Sequence, residues 1–97
     1  MNRTDALRVL TERAVEIRRR FAVKDLAIFG STARDETRPR SDLDVLVAFE
    51  GPAKFDRFMD LKFYLEDLFG VPVDLVTKTA LRPELRPQIE EEAIHVP

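Results

Sequence analysis

The most constraining feature of the sequence is a pair of aspartates at the head of an apolar run. Asp42 and Asp44 are separated by one residue, and residues 43–49 read Leu-Asp-Val-Leu-Val-Ala-Phe. Such a run is typical of a strand, in which side chains two residues apart leave the same face with their Cα atoms about 7 Å apart. Two carboxylates this close repel each other, and a divalent cation between them removes the conflict. The pattern therefore predicts a strand with a metal site at its start.

A glycine and a serine precede this pair along the chain. Gly30 and Ser31 follow a short apolar segment, residues 26–29, and ten residues separate Ser31 from Asp42. A glycine lets the backbone approach a ligand closely, and a serine opening a helix offers a hydroxyl and free N–H groups to an anion. Taken separately, Gly-Ser is common in ordinary turns, and Asp-x-Asp also occurs at solvated strand edges. Together they indicate a phosphate-binding loop that faces metal-binding carboxylates.

Asp74 is a third candidate ligand. It is the one acidic residue of an apolar segment, residues 71–76. A charged group there is costly unless it faces a cavity, a partner or a metal; the alternative is a solvent-facing position on an edge strand. If this segment lies beside the strand of Asp42 and Asp44, the three carboxylates converge. Mg²⁺ prefers such oxygen ligands, and paired ions of this kind support phosphoryl and nucleotidyl transfer.

Apolar spacing predicts an alternation of helices and strands. Spacings of three and four predict two long helices, with Thr4 as the N-cap of the first and Gly70 as the C-cap of the second. The expected helices cover residues 4–20, 31–36, 55–69 and 88–93, the expected strands cover residues 26–29, 42–49, 71–76 and 93–96, and a loop covers residues 37–41. This alternation predicts an α/β (α+β) architecture in a single domain, residues 1–97, with helices packed on a small sheet. Phe55, Phe58, Phe63 and Phe69 are expected in the core, and His95 is assigned no role.

Composition and charge exclude several classes of protein. The 97 residues include no cysteine and one histidine, so a metal site has to rely on oxygen donors. The net charge of -2 provides no basic field for long nucleic acid. No apolar stretch approaches the roughly 20 residues that cross a bilayer, and the N-terminus has no hydrophobic signal region. A cytoplasmic protein that works without a membrane is expected.

These motifs resemble those of the DNA polymerase β-like nucleotidyltransferases, especially the minimal nucleotidyltransferase (MNT) branch. The resemblance rests on Gly-Ser, ten residues and Asp-x-Asp, with Val-Asp-Leu-Val downstream, and it extends over nearly the whole chain. It implies a mixed sheet, a loop that binds the triphosphate of ATP and three carboxylates that bind two Mg²⁺ ions. The implied metal ligands and catalytic residues are Asp42, Asp44 and Asp74. The implied nucleotide-binding residues are Gly30, Ser31, Arg34 and Ser41.

The resemblance also implies a partner. Small MNT proteins act as antitoxins that transfer AMP from ATP to a tyrosine of a HEPN ribonuclease toxin. The short chain agrees with this function, because larger relatives carry added domains for their acceptors. Family members usually have glycine after the motif arginine, where this chain has Asp35; this favours an alternative, a binding-only antitoxin that occludes its toxin. A third possibility is transfer to a small molecule or an RNA end.

Overall fold

The computed structural model describes residues 2–36 and 42–97, so the expected loop over residues 37–41 lies outside the described residues. The helices are α1 (Arg3–Phe21), α2 (Gly30–Ala33), α3 (Phe55–Phe69) and α4 (Arg86–Glu92), and a single 3₁₀ turn spans Lys78–Ala80. The strands are β1 (Val23–Ile28), β2 (Leu43–Phe49), β3 (Val73–Thr77) and β4 (Ile94–His95). Across these two described ranges, no helix combines the length and the apolar character that a bilayer crossing needs.

Helix α1 begins earlier than expected because Asn2 caps it. The Asn2 side chain accepts a hydrogen bond from the Asp5 N–H at 2.8 Å, so the expected Thr4 cap is wrong. Asparagine is at least as good a cap as threonine, and its position two residues upstream extends the helix. The apolar stripe faces the core as expected, and its buried residues are Ala6, Leu10, Ala14, Ile17 and Phe21.

Helix α3 has the expected bounds. Gly70 ends it with φ at 70°, and the Gly70 N–H donates to the Glu66 carbonyl oxygen at 2.8 Å. The buried side of the helix runs through Leu61, Leu65 and Phe69. Phe55 and Phe63 are 74% and 53% exposed, so their expected place in the core is wrong. A stripe through positions 61, 65 and 69 leaves position 63 on the far side of a helix with 3.6 residues per turn.

The four strands form one mixed sheet in the order β3-β2-β1-β4. Strand β1 pairs antiparallel with both β2 and β4, whereas β2 and β3 are parallel and connected through α3. The expected fold class, a small mixed sheet with helices packed on it, is confirmed. Strand β3, which carries Asp74, is an edge strand next to β2.

The two faces of the sheet differ in what covers them. Leu43, Val45 and Val47 of β2 pack into the larger core with α1 and α3. Leu46, on the opposite face, belongs to a smaller cluster with Ala27 and Phe29, against which Ile89 of α4 packs. Because side chains alternate along a strand, Asp44 shares the face of Leu46. The carboxylates therefore lie on the less covered face, the one that also carries α4.

The C-terminal segment completes this second face. The short helix and the edge strand expected there are both present, as α4 and β4. The His95 ring contributes to the contact, since its Nδ1 lies 3.1 Å from Oδ1 of Asp25, and Asp25 also pairs with Lys78. His95 therefore has a partner that the sequence did not reveal, because the pairing joins residues 70 positions apart.

Candidate active site

The Gly-Ser segment packs directly against the start of β2. The Ser31 hydroxyl donates to Oδ2 of Asp44 at 3.0 Å, and the Phe29 N–H donates to the Asp44 carbonyl oxygen at 3.1 Å. Helix α2 begins at Gly30, with only Phe29 between it and the end of β1, so a strand-to-helix turn brings the hydroxyl to the carboxylate. The structure thus brings together two motifs that are more than ten residues apart in the chain.

Gly30 is required at this contact for two reasons. Its φ is +57°, a conformation that side chains with a Cβ adopt at a cost. A Cβ built at position 30 would lie 2.8 Å from Oδ2 of Asp44 and 3.1 Å from its Cγ. The glycine therefore lets the loop backbone lie directly against the carboxylate of Asp44, in addition to the close approach to a ligand that the sequence predicts.

Thr32 is a site residue that the sequence analysis missed. Its side chain is fully buried, its hydroxyl accepts the Asp44 N–H at 3.0 Å, and the same hydroxyl lies 3.5 Å from Oδ2 of Asp44. One threonine thus contacts both the backbone and the carboxylate of Asp44, which restricts the orientation of that side chain. A hydroxyl residue directly after Gly-Ser was the only available signal, and threonine is too common in turns for that signal to be specific.

Asp74 lies beside Asp44 in the sheet. The parallel register of β2 and β3 pairs Asp44 with Asp74, and Asp42 precedes the strand on the same side. Partial burial, and then the charges of Asp44 and Asp42, raise the pKa of Asp74 above its usual value, while Lys62 opposes the shift. Asp74 is therefore close enough to the other two carboxylates for their charges to disfavour its ionised form.

The three carboxylates are ligands of the kind that Mg²⁺ binds. Hard oxygen ligands from a few carboxylates, with positions left for water and phosphate, are what this ion prefers. Within residues 2–36 and 42–97, however, no three acidic or histidine side chains are already gathered around a common point. Oδ2 of Asp44 is instead bonded to Ser31. Binding an ion would require carboxylate rotations, which the exposed positions of Asp42 and Asp74 permit.

Arg34 and Ser41 are the remaining sequence candidates. The guanidinium of Arg34 pairs with Glu36 at 3.2 Å and with Glu92 at 2.9 Å. The hydrogen bonds that Arg34 donates to Glu36 and then to Glu92 raise the pKa of Arg34, so the side chain stays charged and is paired with two carboxylates. Ser41 lies outside the described residues. Glu92 was not anticipated from the sequence, where it ends an acidic run typical of a solvated helix face.

Asp35, the departure from the usual family glycine, has a structural explanation. Its φ is +59°, a left-handed conformation that glycine adopts freely and that aspartate tolerates better than most residues. Its carboxylate accepts the Arg3 N–H at 2.9 Å, at the start of α1, where a helix favours negative charge. The carboxylate of Asp35 is therefore bonded at the N-terminus of α1, so a repulsion between Asp35 and phosphate is less expected.

Comparison with known proteins agrees with this geometry. Residues 11–96 match the family model described as a nucleotidyltransferase domain. The chain is 39% identical over 88 residues to the protein adenylyltransferase MntA of Thermococcus cleftensis, covering 91% of this chain and 89% of that protein. It is 43% identical over 81 residues to a candidate protein adenylyltransferase of Methanocaldococcus jannaschii, covering 82% and 83% of the two chains.

Solved structures place the fold in the same group. A candidate minimal nucleotidyltransferase aligns with a TM-score of 0.82 at 41% identity over 97% of this chain and 95% of that one. A toxin-antitoxin crystal structure with AMP-PNP aligns at 0.74 with 18% identity, covering 89% and 71%. A tri-AMPylated HEPN toxin of Shewanella oneidensis in complex with its MNT antitoxin aligns at 0.67 with 16% identity, covering 93% and 71%. At such low identity the last two likenesses concern the fold alone. The chain belongs to the nucleotidyltransferase domain family, in its branch of minimal protein adenylyltransferases.

Proposed function

We propose that this chain is an antitoxin that transfers AMP from ATP to a tyrosine hydroxyl of a HEPN ribonuclease toxin. The observation that carries the proposal is the meeting of the Gly-Ser turn with Asp44 and, one strand over, Asp74. The names of the relatives support adenylyl transfer to a protein. In the Shewanella complex, an MNT antitoxin of the same fold is bound to a HEPN toxin that carries three AMP groups, and we propose the same class of acceptor for this chain. The reaction takes place on the open sheet face, where a partner has access.

Each residue has a proposed role. Asp42, Asp44 and Asp74 would hold two Mg²⁺ ions, which supply the charge that stabilises the attacking and leaving oxygens. Ser31 and the N–H groups of residues 31 and 32 would bind the outer phosphates, since no hydrogen bond among the described residues uses those two N–H groups. Arg34 and Ser41 are proposed as further nucleotide contacts.

The proposed chemistry is a single displacement at the α-phosphorus. The tyrosine oxygen forms the new bond to phosphorus, the bond to the bridging oxygen of the β-phosphate breaks, and pyrophosphate leaves toward the Gly-Ser loop. Asp74 would accept the tyrosine proton, because it lies beside Asp44 on an exposed position of the edge strand, where an incoming hydroxyl can reach it. Asp44 cannot serve as readily, because its Oδ2 already accepts the Ser31 hydroxyl.

The test is mass spectrometry of the partner after incubation with ATP and Mg²⁺. The wild-type chain is expected to add increments of about 329 Da, one per nucleotidyl group transferred. Asp42→Asn with Asp44→Asn is expected to add none while keeping the fold. A matched control, Asp60→Asn with Asp67→Asn, makes the same charge change at two exposed positions of α3 and is expected to transfer normally.

Two outcomes would contradict the proposal. Full transfer by the double variant at Asp42 and Asp44 would remove the carboxylates from the mechanism. A wild-type chain that neutralises the toxin without any mass increment would favour occlusion by binding. Transfer to a labelled small molecule or RNA end, and not to the toxin, would identify a different acceptor.

A further inference from the structure

Glu92, the last residue of α4, contacts the Gly-Ser turn from the C-terminal segment. Its Oε1 accepts the Gly30 N–H at 3.0 Å, and its Oε2 accepts Nη1 of Arg34 at 2.9 Å. The side chain is only 21% exposed, which limits the freedom of the carboxylate. One carboxylate thus bonds to both ends of the Gly-Ser turn, residues 30–34, although it lies 62 positions from Gly30 and 58 from Arg34 in sequence.

The position of Glu92 follows from the register of the sheet. Strand β4 pairs Ile94 with Ile28 and His95 with Ala27. Continued by two residues, the same antiparallel register sets Glu92 opposite Gly30. The β1–β4 pairing ends before this point, and the side chain of Glu92 accepts the Gly30 N–H in place of a backbone carbonyl of β4.

The contact orients the turn from the side opposite to β2. The Phe29 N–H donates to the Asp44 carbonyl oxygen, and the next N–H along the chain, that of Gly30, donates to Glu92. Two consecutive peptide groups are therefore bonded to two different elements. This restricts the rotation of the Phe29–Gly30 segment and so sets where the Ser31 hydroxyl meets Asp44.

The anchoring of α4 makes this contact stable. Ile89 and Ala93 pack against the small cluster around Phe29 and Leu46. The Ala93 N–H donates to the Ile89 carbonyl oxygen at 2.9 Å, which ends the helix directly after Glu92. The backbone that carries the carboxylate is thus fixed by packing on one side and by β4 on the other.

We infer that Glu92 is a positioning residue of the nucleotide site, and that the C-terminal segment completes the phosphate-binding turn through it. The inference rests on the proposed function, because it assigns the turn to ATP. The carboxylate of Glu92 could also have the opposite effect and compete with phosphate for the Gly30 N–H and the Arg34 guanidinium. Positioning is favoured because the N–H groups of residues 31 and 32 stay unused within the described residues while only that of Gly30 is taken.

The test compares three variants for binding of ATP with Mg²⁺, measured by calorimetry without any partner. Glu92→Ala removes both contacts and is expected to raise Kd about tenfold. Glu92→Gln keeps an oxygen acceptor for Gly30 and is expected to stay within about threefold of wild type. Glu91→Ala, an exposed neighbour on the same helix, is the control and is expected to bind as wild type does.

Transfer kinetics and amide exchange separate positioning from a general loss of stability. Glu92→Ala is expected to raise KM for ATP more than it lowers kcat, at a temperature where melting curves show every variant folded. Hydrogen exchange of the Gly30 amide is expected to be faster in Glu92→Ala and near wild type in Glu92→Gln. A merely structural role would lower the melting temperature of Glu92→Ala and leave its Kd for ATP equal to that of the wild type.

The outcomes distinguish this inference from the proposed function. Unchanged or tighter ATP binding by Glu92→Ala would overturn positioning, and tighter binding would identify Glu92 as a competitor of phosphate. A wild-type chain that binds ATP without modifying its partner would overturn the proposed function and leave the binding comparison intact. A Gly30 amide with equal exchange in all variants would refute the contact itself, whether or not ATP binds.

Discussion

At the scale of single residues, Gly30 and Asp44 depend on each other. The turn at Gly30 combines a φ of +57° with an approach to the Asp44 carboxylate that leaves no room for a Cβ. Asp44 in turn is oriented by the hydroxyls of Ser31 and Thr32. Asp44 is thus oriented before any ligand binds, whereas Asp42 and Asp74 would still have to rotate toward a shared ion.

Gly30→Ala is expected to disable the site more than it destabilises the fold. The positive φ costs about 1 to 2 kcal/mol for alanine, and the new methyl displaces the Asp44 carboxylate from Ser31, which costs about 1 kcal/mol more. Chemical denaturation measures the free energy of unfolding, and transfer assays measure activity. Gly51→Ala is the control, since Gly51 has φ of +72° with nothing within 4 Å. Gly51→Ala is expected to lower the free energy of unfolding by the cost of the positive φ alone, about 1 to 2 kcal/mol, and to keep its activity. An equal loss of activity in both variants would contradict this prediction.

At the scale of elements, one carboxylate connects three of them. Asp25 of β1 pairs with Lys78 in the 3₁₀ turn and with His95 of β4, on the same sheet face as the small core cluster. Strand β4 has only two residues, and two backbone pairings alone hold such a strand weakly. The Asp25 contacts therefore help to fix the C-terminal segment, and with it the backbone that carries Glu92.

Asp25→Asn is expected to lower the free energy of unfolding at neutral pH by about 0.5 to 1 kcal/mol. Partial burial acts to raise the pKa of Asp25, but hydrogen bonds from Lys78 and then His95 outweigh it, and the pKa is lowered from 3.8. A lowered pKa means that the charged form stabilises the fold above the unfolded value, and that this stability is lost as pH falls through the folded value. Denaturation from about pH 6 down to about pH 2.5 measures the difference in the free energy of unfolding between wild type and variant. This difference should shrink as the pH falls below 3.8. A difference that persists at the lowest pH would show that the carboxylate charge is not its cause.

At the scale of the whole molecule, the two faces of the sheet differ in how much apolar surface they bury. One face is covered by α1 and α3 and contains most of the buried side chains. The other carries the three carboxylates, the Gly-Ser turn and α4, with a much smaller apolar cluster. The main core and the candidate site thus lie on opposite faces of one sheet, so we expect that ligand-dependent changes on the less covered face need not disturb the main core.

ATP with Mg²⁺ is expected to raise the melting temperature of the whole domain. A ligand at ten times its Kd adds about 1.4 kcal/mol, which corresponds to roughly 6 to 11 °C for a domain of this size. Differential scanning fluorimetry with ATP, with and without Mg²⁺, measures the shift. Asp44→Asn should show little shift, and EDTA should remove most of the wild-type shift. An equal rise in EDTA would show that the nucleotide binds without the metal ligands.

Most of the fold followed from local patterns, and so did the candidate residues. The bounds of α3 and its Gly70 cap came from apolar spacing and a left-handed glycine, both of which act within one turn of chain. The stripe of α1 was correct and its cap was not, because Asn2 and Thr4 are both good caps and only the contact with Asp5 selects one. Phe55 and Phe63 were misplaced because hydrophobicity alone does not say which side of a helix meets the sheet.

The sequence by itself determined most of the helices and strands and identified the candidate site residues, because periodicity and residue type are local properties. Only the tertiary structure decided how these residues meet. The parallel register placed Asp74 beside Asp44, the turn at Gly30 placed Ser31 and Thr32 on Asp44, and the register of β4 placed Glu92 on the Gly30 N–H. Such contacts join positions up to 62 residues apart, and they depend on strand order and packing, for which no short segment of the chain carries a signal.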